Sequence, residues 1–336
     1  MKIDAYTHIL PPAYAHRFNA LGPMASAANL QKRISGIPEL VDLDRRFKVM
    51  DEFGEYKQII SIPAPQVDEI AEPAVARELA RIGNEGLAEL VDRHPDRFAG
   101  FIASLPVNDP DAAVGEIDYA CGKLGALGIQ MFTSVKQHPM DEPRFEPIFK
   151  RMAELDRMIW VHPCRNSSWP DYPWEERSKF ELWWVFGWEY DTAVFMGRIV
   201  FAGILERYPN LKMLIHHGGS MIPHFAGRIV GLDMLGSRTP AHQLQDVETY
   251  PLSLRPMDYF KKFYADTALF GAEHAVRCST EFFGVDHMLF GTDDPYGPPN
   301  AYNLRETIAN LDALDFSDAE RSKIYEGNAR RLFGLR

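Results

Sequence analysis

Four short stretches carry the residues whose types could do chemistry. They are Tyr6 and His8 in "KIDAYTHI", His162 in "WVHP", His216 and His217 in "LIHHGG", and Asp293 and Asp294 in "LFGTDDP". Each is a strand-like run that ends in an imidazole or a carboxylate. Tyr6 and His8 stand two apart, so on a strand they share a face. Three imidazole positions and one carboxylate brought together suit Zn²⁺ or a similar divalent ion. Such an ion makes hydroxide from bound water, or chelates a carboxylate with a neighbouring oxygen. Singly the motifs are weak. A lone strand-end histidine is commonly a hydrogen-bonded core residue, HHGG reads equally as a tight turn, and GTDDP as an Asx turn.

These ends meet only if the strands run parallel around one axis. Strand-like segments fall at 2–9, 56–63, 98–105, 127–133, 157–163, 211–217, 263–269 and 287–293. Helical patterns lie between and after them, at 44–54, 73–94, 110–124, 144–156, 192–208, 222–235, 270–283, 301–314 and 318–333. Eight strands alternating with helices predict a single-domain (β/α)8 TIM-like barrel over 1–336, with a doubly wound sheet as the competing fold. In a barrel the C-terminal strand ends share one mouth. The stretch 164–190 reads as an irregular, aromatic-rich insertion after the fifth strand.

Composition narrows the partners. The net charge of −11, with no basic cluster, argues against nucleic acid. No apolar run is long enough to span a membrane. Three cysteines (Cys121, Cys164 and Cys278) and no secretory leader suggest a reducing, cytoplasmic setting. Trp183, Trp184 and Trp188 read as core or as the contact of a homodimer, the assembly expected. The remaining histidines, at 16, 94, 138, 224, 242, 274 and 287, read mostly as surface or structural.

The chain resembles the amidohydrolase superfamily, and within it the branch of aminocarboxymuconate-semialdehyde decarboxylase. The likeness runs through "KIDAYTHILP", "RRFKVMDEFG", "QIISIPAP", "GRIVFAGILERYPNLKMLIHHGGSMIPHFAGRI" and "FGTDDPYG". It implies a distorted (β/α)8 barrel and a metal-dependent enzyme. Carried over position by position, it implies His8, His162 and Asp293 as metal ligands. It matches His217 to the sixth-strand histidine that acts near the substrate carboxylate. Tyr6 departs from the pattern, because the family has histidine there, or glutamate in some decarboxylases. A phenol near pKa 10 is a poorer ligand. Tyr6 is therefore expected to hydrogen-bond a bound water or the substrate rather than the metal.

The expected activity is non-oxidative decarboxylation of an aromatic or unsaturated acid, with one divalent ion, zinc before manganese. His217 or Asp293 would protonate the carbon beside the carboxylate, with Tyr6 assisting. A metal-dependent hydrolase of a lactone, ester or amide is the alternative. A metal-free or non-catalytic barrel is a third reading. Arg165 and Asn166, just past the fifth strand, are placed to meet the small carboxylate substrate, and Trp188 to stack on a planar ring.

Overall fold

A computed structural model describes residues 1–22, 28–238 and 251–335. His242 lies outside them. Eight parallel strands follow one another around a ring: β1 (Lys2–His8), β2 (Tyr56–Ser61), β3 (Phe98–Ala103), β4 (Gly128–Phe132), β5 (Met158–His162), β6 (Lys212–Ile215), β7 (Tyr264–Asp266) and β8 (Met288–Leu289). Main-chain bonds close the ring between β8 and β1. Ala5 N donates to Phe290 O (2.7 Å), Asp293 N to Tyr6 O (3.2 Å) and His8 N to Asp294 O (2.8 Å). Helices surround the strands, so the fold is the expected (β/α)8 barrel.

The core has two layers. Inside the barrel, Ile3, Ala5, Ile59, Ile102, Leu127, Met158, Leu214 and Leu289 surround Trp160. The Trp160 indole donates to Ala5 O (2.9 Å), and its ring lies 4.9 Å from that of Phe333 on the last helix. This pair fills the N-terminal end, which leaves the opposite mouth for a site. The second, larger layer lies between strands and helices.

Local departures have physical causes. The register of β1 against β2 slips between Asp4 and Thr7, a bulge that keeps both Ala5 and Tyr6 on the inner face. Strands β7 and β8 are shorter than the expected 263–269 and 287–293, because Asp266, Thr267 and the "GTDD" run turn away to make side-chain bonds. Thr267 Oγ1, for example, donates to Gly291 O (3.0 Å). The helix expected over 318–333 is interrupted by a wide π turn at Lys323–Gly327. There the Ile324 carbonyl accepts Phe290 N (2.9 Å) from the end of β8. Pro11-Pro12 reads as a stop, yet Pro12 also begins a helix, Pro12–Asn19, where its missing N–H costs nothing. The stretch after β5 has no regular element until Leu182–Val185, followed by the helix Gly187–Phe201.

Candidate active site

Four side chains meet at the C-terminal mouth. His8 and His162 are the last residues of β1 and β5. His216 directly follows β6 and still bonds strand-like to β5, its N donating to Val161 O (3.2 Å). Asp293 follows β8 with a left-handed φ of +66°. All four are buried. The Asp293 Oδ1 atom lies 3.2 Å from His8 Nε2 and 3.4 Å from His216 Nε2. One ligand atom from each of His8, His162 and His216 falls within 4.8 Å of the others, as does one from each of His216, His217 and Asp293.

The Nδ1 side of each ring is already used. Ser61 Oγ donates to Thr7 O (3.0 Å), so its lone pair accepts His8 Nδ1–H (2.9 Å). His162 Nδ1–H donates to Pro163 O (2.6 Å), His216 Nδ1–H to Asp266 Oδ2 (2.5 Å) and His217 Nδ1–H to Ala268 O (3.0 Å). In a neutral ring each bond leaves the lone pair on Nε2. The Nε2 atoms of His8 and His216 are buried without any hydrogen-bond partner. Buried polar atoms are ordinarily satisfied, and a divalent ion is the partner that would satisfy both.

Electrostatics agree with the donor set. Burial pushes the His8 imidazole down, and burial with the neighbouring His8 and His216 pushes His162 well down. His217 falls to about 4 through burial and the charge of His216. Burial would also lower His216, but the Asp266 carboxylate outweighs it and lifts His216 to about 10. Burial would raise Asp293, but His216 and His8 outweigh that and hold its carboxyl well below the usual range. The neutral His8 and His162 imidazoles and the ionised Asp293 are in the states a divalent ion binds, and an ion reaching His216 would displace the proton that Asp266 favours there.

Above this cluster opens a cavity of about 280 Å³. His162 and Asp293 reach its floor, and Trp184, Trp188, Phe270 and Tyr296 wall it. Among the described lining residues Arg33 is the one cation; it pairs with Glu181 and lies over the Trp183 and Trp184 rings.

The other expected site residues fall in different places. Trp188 lines the cavity, with its indole donating to Arg165 O (2.7 Å) and its ring nearly parallel to His217 (12°, 6.1 Å). His217 lies buried between Trp188 and Phe270. Neither Arg165 nor Asn166 lines this cavity. The Arg165 guanidinium turns to Pro170 O (2.9 Å) and Asp191 (3.7 Å), facing a separate cavity beside Trp169. The Asn166 side chain accepts Ser168 N (2.9 Å) in an Asx turn. Tyr6 is fully buried, and its hydroxyl donates to Gln130 Oε1 (3.1 Å) instead of a water or substrate. Gly218 and Gly219 both take left-handed φ, and a Cβ there would meet Leu269 or Phe283, so they admit backbone packing rather than a substrate.

Sequence reading gave no role to Asp266, Gln130 or Arg33. Asp266 braces His216, and its other oxygen accepts Gly218 N (3.2 Å) and Ala268 N (3.1 Å). The one signal was an acid inside the apolar run "FYADTAL".

The Amidohydrolase family profile matches residues 3–335. Gamma-resorcylate decarboxylase of Polaromonas sp. (strain JS666) is 33% identical over 307 residues, 88% of this chain and 89% of that protein. The 2-amino-3-carboxymuconate-6-semialdehyde decarboxylase of Dictyostelium discoideum is 26% identical over 352 residues, covering 100% and 92%. A crystal structure of dihydroxybenzoic acid decarboxylase from Polaromonas sp. JS666, with bound manganese and the inhibitor 2-nitroresorcinol, superposes with a TM-score of 0.77 at 27% identity, over 99% of this chain and 96% of that one. Barrel, strand-end donors and a match across nearly every residue agree: the chain belongs to the Amidohydrolase family, in its branch of metal-dependent decarboxylases.

Proposed function

We propose that the protein removes the carboxylate of an aromatic acid as CO₂, using one divalent ion held by His8, His162 and Asp293. The observation that carries this reading is the pair of buried, unpartnered Nε2 atoms of His8 and His216 converging on Asp293, which reaches the floor of an aromatic-walled cavity. Bound there, the ion would hold the substrate carboxylate and an adjacent oxygen in one orientation. Manganese is the first ion to test, ahead of the zinc expected from ligand type, because a structural neighbour holds manganese.

The chain's own residues do the rest. Trp188 and Phe270 flank a planar ring and keep water from it. Asp293, rather than the deeper His217, opens on the cavity; its carboxylate, ionised at rest, takes a proton from solvent and passes it to the ring carbon that bears the carboxylate. The C–C electron pair returns to the ring as CO₂ leaves, and Asp293 is left ionised as it began. One proton is thus consumed for each CO₂ released. His217, parallel to Trp188, backs the indole that faces the ring. Tyr6 supports the His216 ring, 4.1 Å away between centroids.

The test is incubation with Mn²⁺ and a panel of hydroxybenzoates in D₂O. CO₂ and a product carrying one deuterium at the vacated carbon are expected. Acid release from lactones or esters without CO₂ would replace this reading with the hydrolase.

A further inference from the structure

The opening strand of this chain offers one imidazole where a His-x-His strand offers two. Tyr6 does not make up the loss, because its hydroxyl is committed to Gln130 Oε1, itself held in place by the amide nitrogen of Gln130 donating to Ile62 O (2.9 Å). The shortage has to be met elsewhere or the ion is held by three protein groups.

His216 is in position to meet it. Its Nε2 is fully buried, has no hydrogen-bond partner and lies 3.4 Å from Asp293 Oδ1. The His8 Nε2 atom approaches the same oxygen at 3.2 Å. Two imidazole nitrogens thus converge on one carboxylate oxygen, an arrangement that a shared cation between them would hold. Ring centroids of His162 and His216 are 5.4 Å apart, almost the 5.3 Å of His8 and His162. Ligands at about 2.1 Å from a common ion stand no more than about 4.2 Å apart, a little inside the 4.8 Å envelope that holds the three imidazoles. The Asp266–His216 bond is the carboxylate–imidazole brace that orients metal-bound histidines and raises their basicity. His217 differs: it groups with His216 and Asp293, whereas the imidazole grouped with both His8 and His162 is that of His216.

We infer that His216 is a direct ligand of the ion, so that this site is a three-imidazole, one-carboxylate set of His8, His162, His216 and Asp293, with Tyr6 outside the coordination sphere. The inference rests on the metal-dependent reading above. Four protein donors leave two positions of a six-coordinate ion, enough for a carboxylate oxygen and its ortho neighbour. Tyr6 then serves as a wall: its ring backs the His216 imidazole that has taken over the ligand role.

Mn²⁺ titration followed by pulsed EPR counts the imidazole nitrogens on the ion. The parent should show three, and so should Tyr6→Phe and His217→Gln. His216→Gln should show two, with its Mn²⁺ dissociation constant raised about 100-fold or more, and circular dichroism should report a native fold. A parent with two coordinated imidazoles overturns the inference, and needs no variant to do so. An unchanged count in His216→Gln overturns it equally. In both cases a Mn²⁺-dependent release of CO₂ would leave the proposed function standing, whereas a parent that binds no Mn²⁺ removes both.

Discussion

Two buried polar clusters sit back to back across β1 and β8, and they are built on opposite plans. The inner one, at the mouth, leaves Nε2 of His8 and His216 unsatisfied around Asp293. The outer one lies behind the strands and is closed on itself. Arg46 Nε donates to Gln58 Oε1 (2.7 Å) and its Nη1 to His8 O (2.7 Å). The Gln58 amide donates to Asp294 Oδ2 (3.0 Å). Asp4 Oδ2 accepts from Tyr56 (2.7 Å) and Thr292 (2.5 Å). One Arg46 nitrogen lacks a hydrogen bond, but it lies 3.9 Å from Asp294. Asp293 and Asp294 are neighbours in sequence and equally buried, yet each belongs to a different cluster. Satisfaction separates them: a polar cluster that completes itself holds a fold together, and one left incomplete around a common centre awaits a ligand.

The contrast is broken most directly at the aspartate pair. Asp293→Ala should lose about 10³-fold or more in turnover, the upper range of an acid–base group, and most bound divalent ion, while melting near the parent temperature. Retained metal and CO₂ release would move Asp293 to the structural side. Arg46→Met should do the reverse. It strands Asp294 in the interior and should cost about 3–5 kcal/mol of stability, read by denaturant unfolding. Asp294→Asn in the same chain should recover part of that loss, and no recovery would sever the pair. His217→Ala should keep fold and metal but lose roughly 10²-fold in turnover. Near-normal kcat would make it a packing residue.

Two smaller effects sharpen the contrast. Burial pushes the Asp4 carboxyl up to about 7 against the opposing Thr292 and Tyr56 hydrogen bonds, whereas the unfolded chain ionises it near 3.8. Between those values the native state holds the extra proton. Stability should therefore fall as pH rises from about 4 to about 7, by at most about 1.4 kcal/mol per pH unit from this group. Asp4→Asn should flatten that slope, and an unchanged slope would place the titration elsewhere. Tyr6→Phe should cost about 1 kcal/mol, the worth of one hydrogen bond, with Mn²⁺ affinity unchanged. A Tyr6→Phe protein that purifies without metal would make the phenolate a ligand.

Much of this was legible in the one-dimensional pattern. Alternating strand and helix periods called for parallel strands covered by helices, because each parallel strand must be buried on both faces and each helix on one, and the count of eight favoured a barrel over a doubly wound sheet. The strand-end placing of His8, His162, His216 and Asp293 followed from the same pattern, since a barrel gathers its C-terminal strand ends into one mouth. Only the tertiary structure decided which atoms face that mouth. Arg165 and Asn166 stand beside a site residue in sequence, but the chain turns after Pro163 and spends their side chains on local bonds. His216 and His217 are indistinguishable as letters. A left-handed φ of +59° at His217 sends the two rings to different partners, Asp266 and Ala268. Those partners lie 50 and 51 residues away. Periodicity is a property of neighbours along the chain, whereas the tautomer of an imidazole is set by whatever acceptor the fold brings to it from a distance.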